Sequence, residues 1–453
     1  MKAERSPGWK LFLAGIIGVV LVAPLLMVYG LVWDRQAQSD TAQNTIAEGW
    51  GGPQVIVGPV LVVPYRTSSV ETVEENGRQT TRTVSIQKEL FLSPVTNAMR
   101  TELKPERKKK SIYESVLFVA QNSGTAHFAL PNDFERFGIA RTSIDFSGAE
   151  IRFGVSDARG LQKDSRVEVN GVAVNLQPGK GLAASKGSGF FSFVDWTNPA
   201  PLEVRYNYSV RGNKSLAMVP RGGETTWDVR SSWPSPSFGG DFLPTKRDVK
   251  TDGFTSSHAV TNLALGQSIL VTHDADAPIE AGIKGNDTYS GPRPTPVAGG
   301  PSQVATIGLI EPVDLYSQVD RSVKYGFLFI GFTFLAFLMF DLVGGARVAA
   351  AEYLLAGAAL VLLFVLLLAF AEVTGFMWSY LLAAGAITGL LTAYSAAVLK
   401  SWRRARLIGA LLAGLYATLY VLLNLEAFSL LIGSMMLFIA LAVVMWTTRS
   451  IDW

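Results

Sequence analysis

"DLYSQVDRSVKYGFLFIGFTFLAFLMFDLV", Asp314–Val343, joins two chemistries in one stretch. The stretch up to Lys324 carries Asp314, Asp320, Arg321 and Lys324; from Tyr325 to Phe340 there is no charge at all. The first part belongs in water and the second in hydrocarbon, where a run of this composition forms a crossing helix. At helical spacing Tyr316, Val319 and Val323 fall on one side, so a short interfacial helix is expected to feed the span directly. Arg321 and Lys324 then sit at the outer face of that span, where Asp314, Asp320 or a lipid phosphate would pair with them.

Downstream, apolar stretches recur at residues 325–343, 353–371, 377–399, 407–424 and 428–447. Each is near the roughly 20 residues that one crossing needs. Upstream, "LFLAGIIGVVLVAPLLMVYGLVW" (Leu11–Trp33) is longer than a signal-peptide core and ends without a small-x-small cleavage pattern. It reads as an uncleaved anchor, and Pro24 is tolerable in such a helix. One span plus five makes six.

Orientation follows the basic flanks. Lys2, Arg5 and Lys10 precede the first span; Arg347, "KSWRRAR" (Lys400–Arg406) and Arg449 fall on the same side when the spans are counted through. The opposite turns, around Glu372 and Glu426, contain no lysine or arginine. Both termini are therefore expected in the cytoplasm and the central region outside. Trp9, Trp33, Trp378, Trp402 and Trp446 lie near span ends, where the ring is apolar and its N–H still reaches water.

Between the first and second spans the periodicity is two, as in "TVSIQKELFL", "SIDFSGAEIRFGV", "RVEVNGVAVNL" and "PLEVRYNYSV". Such runs, broken by "NG"- and "PG"-type turns, predict a large, mainly antiparallel β domain. Its size suggests two packed β subdomains. The fold class is thus α+β: an anchor over 1–33, a β-rich outer domain over 34–322, and a five-helix bundle over 323–453.

Composition bounds the function. Among 453 residues 17% are charged, the formal net charge is +3, and mean hydropathy is +0.26. A near-neutral chain is no general nucleic-acid binder. With no cysteine and three histidines, thiolate metal sites and cysteine nucleophiles are excluded. "QPGKGLAASKGSG" (Gln177–Gly189) lacks phosphate-loop spacing and reads as a flexible outer loop. In "THDADAP", His273, Asp274 and Asp276 alternate faces on an extended chain, so a solvated turn is expected there instead of a metal site. No catalytic residue, cofactor or metal ligand is assigned.

Two groups of residues remain as candidates. Trp227, Trp233, Phe238 and Phe242, in "TWDVRSSWPSPSFGGDFLP", would offer an apolar patch to a partner, or plug the end of the β core. Arg321, Lys324, Tyr325, Asp341, Glu352, Glu372, Glu426 and Arg449 line the expected membrane interface; the carboxylates stand near span ends, not at the midplane sites that ion coupling uses. The basic run Arg107–Lys110 precedes a strand and reads as a lysine-protected edge or a headgroup contact.

Several stretches resemble the CreD family of bacterial inner-membrane proteins: "RSVKYGFLFIGFTF", "EYLLAGAALVLLFVLLLAFAEVTGF", "LLIGSMMLFIALAVVMWTTRSIDW", and in the outer region "GPVLVVPY", "ERKKKSIYES" and "SSWPSPSFGGDFLP". The resemblance implies an inner-membrane protein tied to cell-envelope integrity, with links to tolerance of colicins and β-lactams, and supplies no molecular activity. Two readings follow. In one, a non-enzymatic protein in the lipid bilayer binds an envelope partner or ligand through its outer β domain. In the other, the five-helix bundle transports or flips a lipid or envelope precursor.

Overall fold

The computed structural model describes residues 7–75, 78–110, 113–131, 134–274, 279, 303–309, 315–342, 350–398, 400–424 and 429–449. It forms two compact units, Ala42–Pro312, and Met1–Thr41 with Val313–Trp453.

The β unit contains, in chain order, β1 (Gln54–Glu75), β2 (Arg78–Leu92), β3 (Thr96–Lys110), β4 (Tyr113–Phe128), β5 (Glu150–Val155), β6 (Arg166–Val169), β7 (Val172–Ala173), β8 (Gln177–Pro178) and β9 (Gly189–Phe193). Then follow β10 (Leu202–Asn213), β11 (Ser215–Val219), β12 (Glu224–Ser231), β13 (Pro236–Gly240), β14 (Lys246–Lys250), β15 (Gly253–Thr261), β16 (Leu270–Val271) and β17 (Ala305–Leu309). Among the described residues they make two sheets. One has the order β13-β17-β11-β1-β5-β9-β8, with β2 on β1 and β16 on β2; the other is β14-β15-β12-β3-β4-β10-β6-β7. Each sheet is mixed, because β1 runs parallel to β11 and β12 parallel to β3. Parallel partners come from distant parts of the chain, and period-two patterning is blind to that choice.

The expected pair of β subdomains gives way to two sheets on one shared core. Along β10, Leu202, Val204, Tyr206, Tyr208 and Val210 alternate inward; Ile56, Leu61 and Val63 of β1 meet the same core from the other sheet. Lys214, at φ 55°, is the single residue between β10 and β11, and there the chain passes from one sheet to the other. The opposite face of β1 is buried too: Val55, Val57, Val60 and Val62 pack with Leu182 and Ala184. This is why β1 opens as a nearly unbroken apolar run. It also corrects the reading of "QPGKGLAASKGSG", which is a packed cover: Leu182, Ala184 and Ser185 are each fully buried.

The other unit is helical. Its elements are α1 (Pro7–Glu48, of which residues 42–48 fall in the β unit), α3 (Leu315–Lys324), α4 (Gly326–Leu342), α5 (Ala350–Thr374), α6 (Phe376–Val398), α7 (Trp402–Asn424) and α8 (Ser429–Thr448); a one-turn α2 (Asn262–Leu265) belongs to the β unit. Four helices among the described residues are long and apolar enough to cross a bilayer: α1, α5, α6 and α7. The described part of α4 has 17 residues. α3 buries Tyr316, Val319 and Val323, together with Gln318 and Ser322. Only Tyr325 separates α3 from α4, and its N–H still donates to the Arg321 carbonyl at 3.2 Å. Gly357 of α5 lets Leu21 of α1 approach: a Cβ there would stand 2.0 Å from Leu21 Cδ1.

Candidate functional site

The aromatic candidates do not form a surface patch. Trp227 of β12 is fully buried, and its Nε1–H donates to Thr101 Oγ1 at 2.8 Å, which in turn donates to Asn122 Oδ1 at 2.8 Å. Trp233 is 5% exposed and donates to the Ser235 carbonyl. Phe238 packs edge-on to Phe254 at 5.7 Å, and Phe238 and Phe242 are partly buried against the core. Trp227 on β12 and Phe238 on β13 thus turn towards the β core, with Trp233 and Phe242 on the connections beside them. Trp227 and Trp233 are too buried to meet a partner, whereas Phe238 and Phe242 keep part of their surface exposed.

The polar outer face of the second sheet is concave instead. A trough of about 860 Å³ runs across β14, β15, β12, β3, β4 and β10. Period-two alternation builds it: Met99, Thr101 and Leu103 point into the core from β3, while Arg100 and Glu102 are exposed. The ladder register aligns these outward positions in two rows. One row reads Asp248, Thr255, Arg230, Glu102, Gln121; the next reads Lys246, Ser257, Asp228, Arg100, Ser123. Signs alternate along each row and oppose between rows. Glu102 pairs with Lys104 at 3.4 Å and Asp248 with Lys250 at 2.8 Å. Among the described residues the side chains of Arg100, Asp228, Arg230 and Lys246 form no hydrogen bond or ion pair.

In the helical unit Glu372 is a junction. Its Oε1 accepts from the Tyr316 hydroxyl at 3.3 Å and lies 3.8 Å from Arg35 Nε, so one carboxylate ties together α5, α3 and α1. Its side chain is only 13% exposed. Lys324 pairs with Asp320 at 2.6 Å and stands 5.8 Å from the Tyr29 ring, while Arg321 Nε donates to the Ser317 carbonyl at 3.3 Å. Glu352 lies half-buried in the first turn of α5. Arg449 stands 5.3 Å from the Trp446 ring. Asp341 falls in α4, its side chain outside the described residues, as are Asp314 and Glu426 altogether.

Among the described residues no three His, Asp or Glu side chains gather as a metal site. Asp274 is not a solvated turn residue: it pairs with the buried Arg221 and accepts from the Ala183 N–H at 2.7 Å, pinning the cover over β1. Asp276 lies outside the described residues.

A family model described as "Inner membrane protein CreD" matches residues 6–453. The chain is also 31% identical to the Inner membrane protein CreD of Escherichia coli (strain K12), over 98% of this chain and 93% of that protein. The chain belongs to the CreD family. It is thus an inner-membrane protein, in keeping with its apolar helices.

Neither description names a reaction, so in this CreD-family chain function has to be sought in geometry. Besides the trough, sequence reading missed Trp50, two residues past α1. Its ring lies 3.8 Å from Lys108 Nζ and 4.4 Å from the Arg211 guanidinium, and its Nε1–H donates to the Phe118 carbonyl at 3.4 Å. The basic run lies within the end of β3: Lys109 pairs with Glu114 at 2.5 Å, and because β12 flanks β3 only over Thr96–Leu103, among the described residues Arg107–Lys110 are paired with β4 alone and leave the other edge open, as the lysine-protected edge reading expects. The flanking "GWGG" was the only local sign of this anchor.

Proposed function

We propose that this protein supports cell-envelope integrity without catalysis, by binding an envelope partner through the outer trough of its β unit while the helices hold it in the inner membrane. Counting α4 and α8 as spans gives six crossings, with both termini cytoplasmic and the β unit periplasmic, as the basic flanks suggest. Tolerance of envelope-acting agents such as colicins and β-lactams is part of this reading.

One observation carries it: the broad concave face of the β unit holds Arg100, Asp228, Arg230 and Lys246, whose side chains have no hydrogen-bond or ion-pair partner among the described residues. The charged group inside the helical unit, by contrast, is already engaged. Glu372 is bonded by Arg35 and Tyr316 and so ties three helices together, as a structural carboxylate does.

The test is complementation of a deletion strain challenged with detergent and a β-lactam. The variant Arg100→Glu with Arg230→Glu should insert normally and fail to restore resistance; full rescue overturns the reading. Topology is separately accessible, because the chain has no cysteine. Single cysteines at Lys246 and Ser401 should be respectively reactive and silent towards an impermeant thiol reagent applied from the periplasmic side.

Lipid handling by the helices has one feature in its favour, an apolar groove of about 470 Å³ between α1 and α4, lined by Gly15, Gly18, Phe327, Ile330 and Gly331. Gly18→Phe would fill it. Loss of resistance in that variant, with the trough variant fully active, would put the lipid reading first.

A further inference from the structure

The structure assigns a ligand class to the trough: we infer that it holds an extended peptide segment bearing both ammonium and carboxylate groups. This rests on the reading of the trough as the working surface and adds what it recognises.

The charges are matched in number and interleaved in space. Arg100, Arg230, Lys246 and Arg247 face Glu102, Asp164, Asp228 and Asp248 around the same trough. In the ladder Arg230 stands opposite Glu102 and Asp228 opposite Arg100, so neighbouring positions of opposite sign are about 4.8 Å apart across the strands. A polyanion laid over this pattern meets a carboxylate at every second position, and a polycation meets a guanidinium or ammonium. Like charges so juxtaposed are a means of excluding partners. A chain whose own charges alternate meets a complementary group at each step.

Other ligand classes fit less well. Among the described residues no aromatic ring lines the trough, so they offer no stacking platform for a sugar or a nucleobase. Its polar floor of Thr255, Ser257, Ser123 and Gln121 suits the amide groups of a peptide, not an acyl chain. Among the described residues the side chains of Arg100, Asp228, Arg230 and Lys246 have no hydrogen-bond or ion-pair partner to give up.

The test uses the full-length protein in detergent micelles and a fluorescent synthetic peptide of alternating lysine and glutamate separated by threonine. Two control peptides carry only lysine or only glutamate in the charged positions. Anisotropy titrations at low ionic strength should show the mixed peptide binding best, with the preference fading as salt screens the exposed charges. Arg100→Glu with Arg230→Glu should weaken the mixed peptide by about tenfold and favour the all-lysine control. Asp228→Lys with Glu102→Lys should weaken it similarly and favour the all-glutamate control. All four side chains are exposed, so both variants are expected to fold, with melting temperatures near that of the parent. Equal binding of the three peptides, no binding of the mixed one, or unchanged affinity in both variants would overturn the assignment. If the trough variants lose envelope resistance while the mixed peptide does not bind, the trough remains the working surface and the peptide assignment alone falls.

Discussion

Replacing His258 by phenylalanine should flatten the pH dependence of the β unit's stability. His258 is 1% exposed, its ring centre lies 5.1 Å from that of Trp227, and neither ring nitrogen has a hydrogen-bond partner of good geometry. Burial pushes the imidazole below its ordinary value of 6.5, against smaller upward pulls from the Trp227 backbone and the Asp228 charge. The folded ring therefore stays neutral where the unfolded chain takes up a proton. Below pH 6.5 the unfolded state binds more protons, so stability is complete above that value and declines as pH falls towards the lowered one. One pH unit below, the loss is at most about 1.4 kcal/mol, or roughly 3–5 °C in melting temperature for a domain of this size.

The assay is thermal unfolding of the full-length protein in micelles, parent against variant, across a pH series on both sides of the histidine range. A phenylalanine ring alters packing by about 1–3 kcal/mol in either direction, but that offset is the same at every pH. Only the difference in slope matters. Parallel curves for the two proteins would refute the reasoning, because they would mean that the buried ring is protonated in the folded state or that its proton is irrelevant to stability.

Three other perturbations have defined outcomes. Trp50→Leu removes the ring shared by Lys108 and Arg211 and should destabilise the β unit by about 1–3 kcal/mol, whereas Lys108→Gln, which leaves Arg211 in place, should cost under about 1 kcal/mol in the same melts. Gly357→Leu drives a side chain into Leu21 and Phe334 and should lower the thermal stability of the helical unit by about 1–3 kcal/mol, with Gly357→Ala costing less. Glu372→Gln keeps an acceptor for Tyr316 and should cost under about 1 kcal/mol, since Arg35 is substantially exposed, while Glu372→Leu should cost about 1–2 kcal/mol.

Much of the architecture was legible along the chain. Hydrophobic run length marks α1, α5, α6 and α7, because hydrocarbon demands a long apolar helix whatever its neighbours are. The buried face of α3 was visible in the spacing of Tyr316, Val319 and Val323, and alternation marked strands such as β10. What periodicity lacks is the identity of the partner strand. It reports that a residue has a face, and cannot report that β3 lies parallel to β12 or that both sheets share one core.

The sites were decided at that second level. Trp227 and Trp233 look alike in sequence whether they cover a core or present a patch, and only the closing of two sheets over them buries both. Glu372 reads as a span-end carboxylate until α1 and α3 bring Arg35 and Tyr316 to it. Arg100, Glu102, Asp228 and Arg230 are ordinary outward charges on strands far apart in the chain; register sets them in alternating rows. Local composition, by itself, determined that the chain has a β-rich part and apolar helices of membrane-spanning length. Which side chains converge was left to tertiary structure, because convergence depends on long-range pairing that no single stretch of the chain encodes.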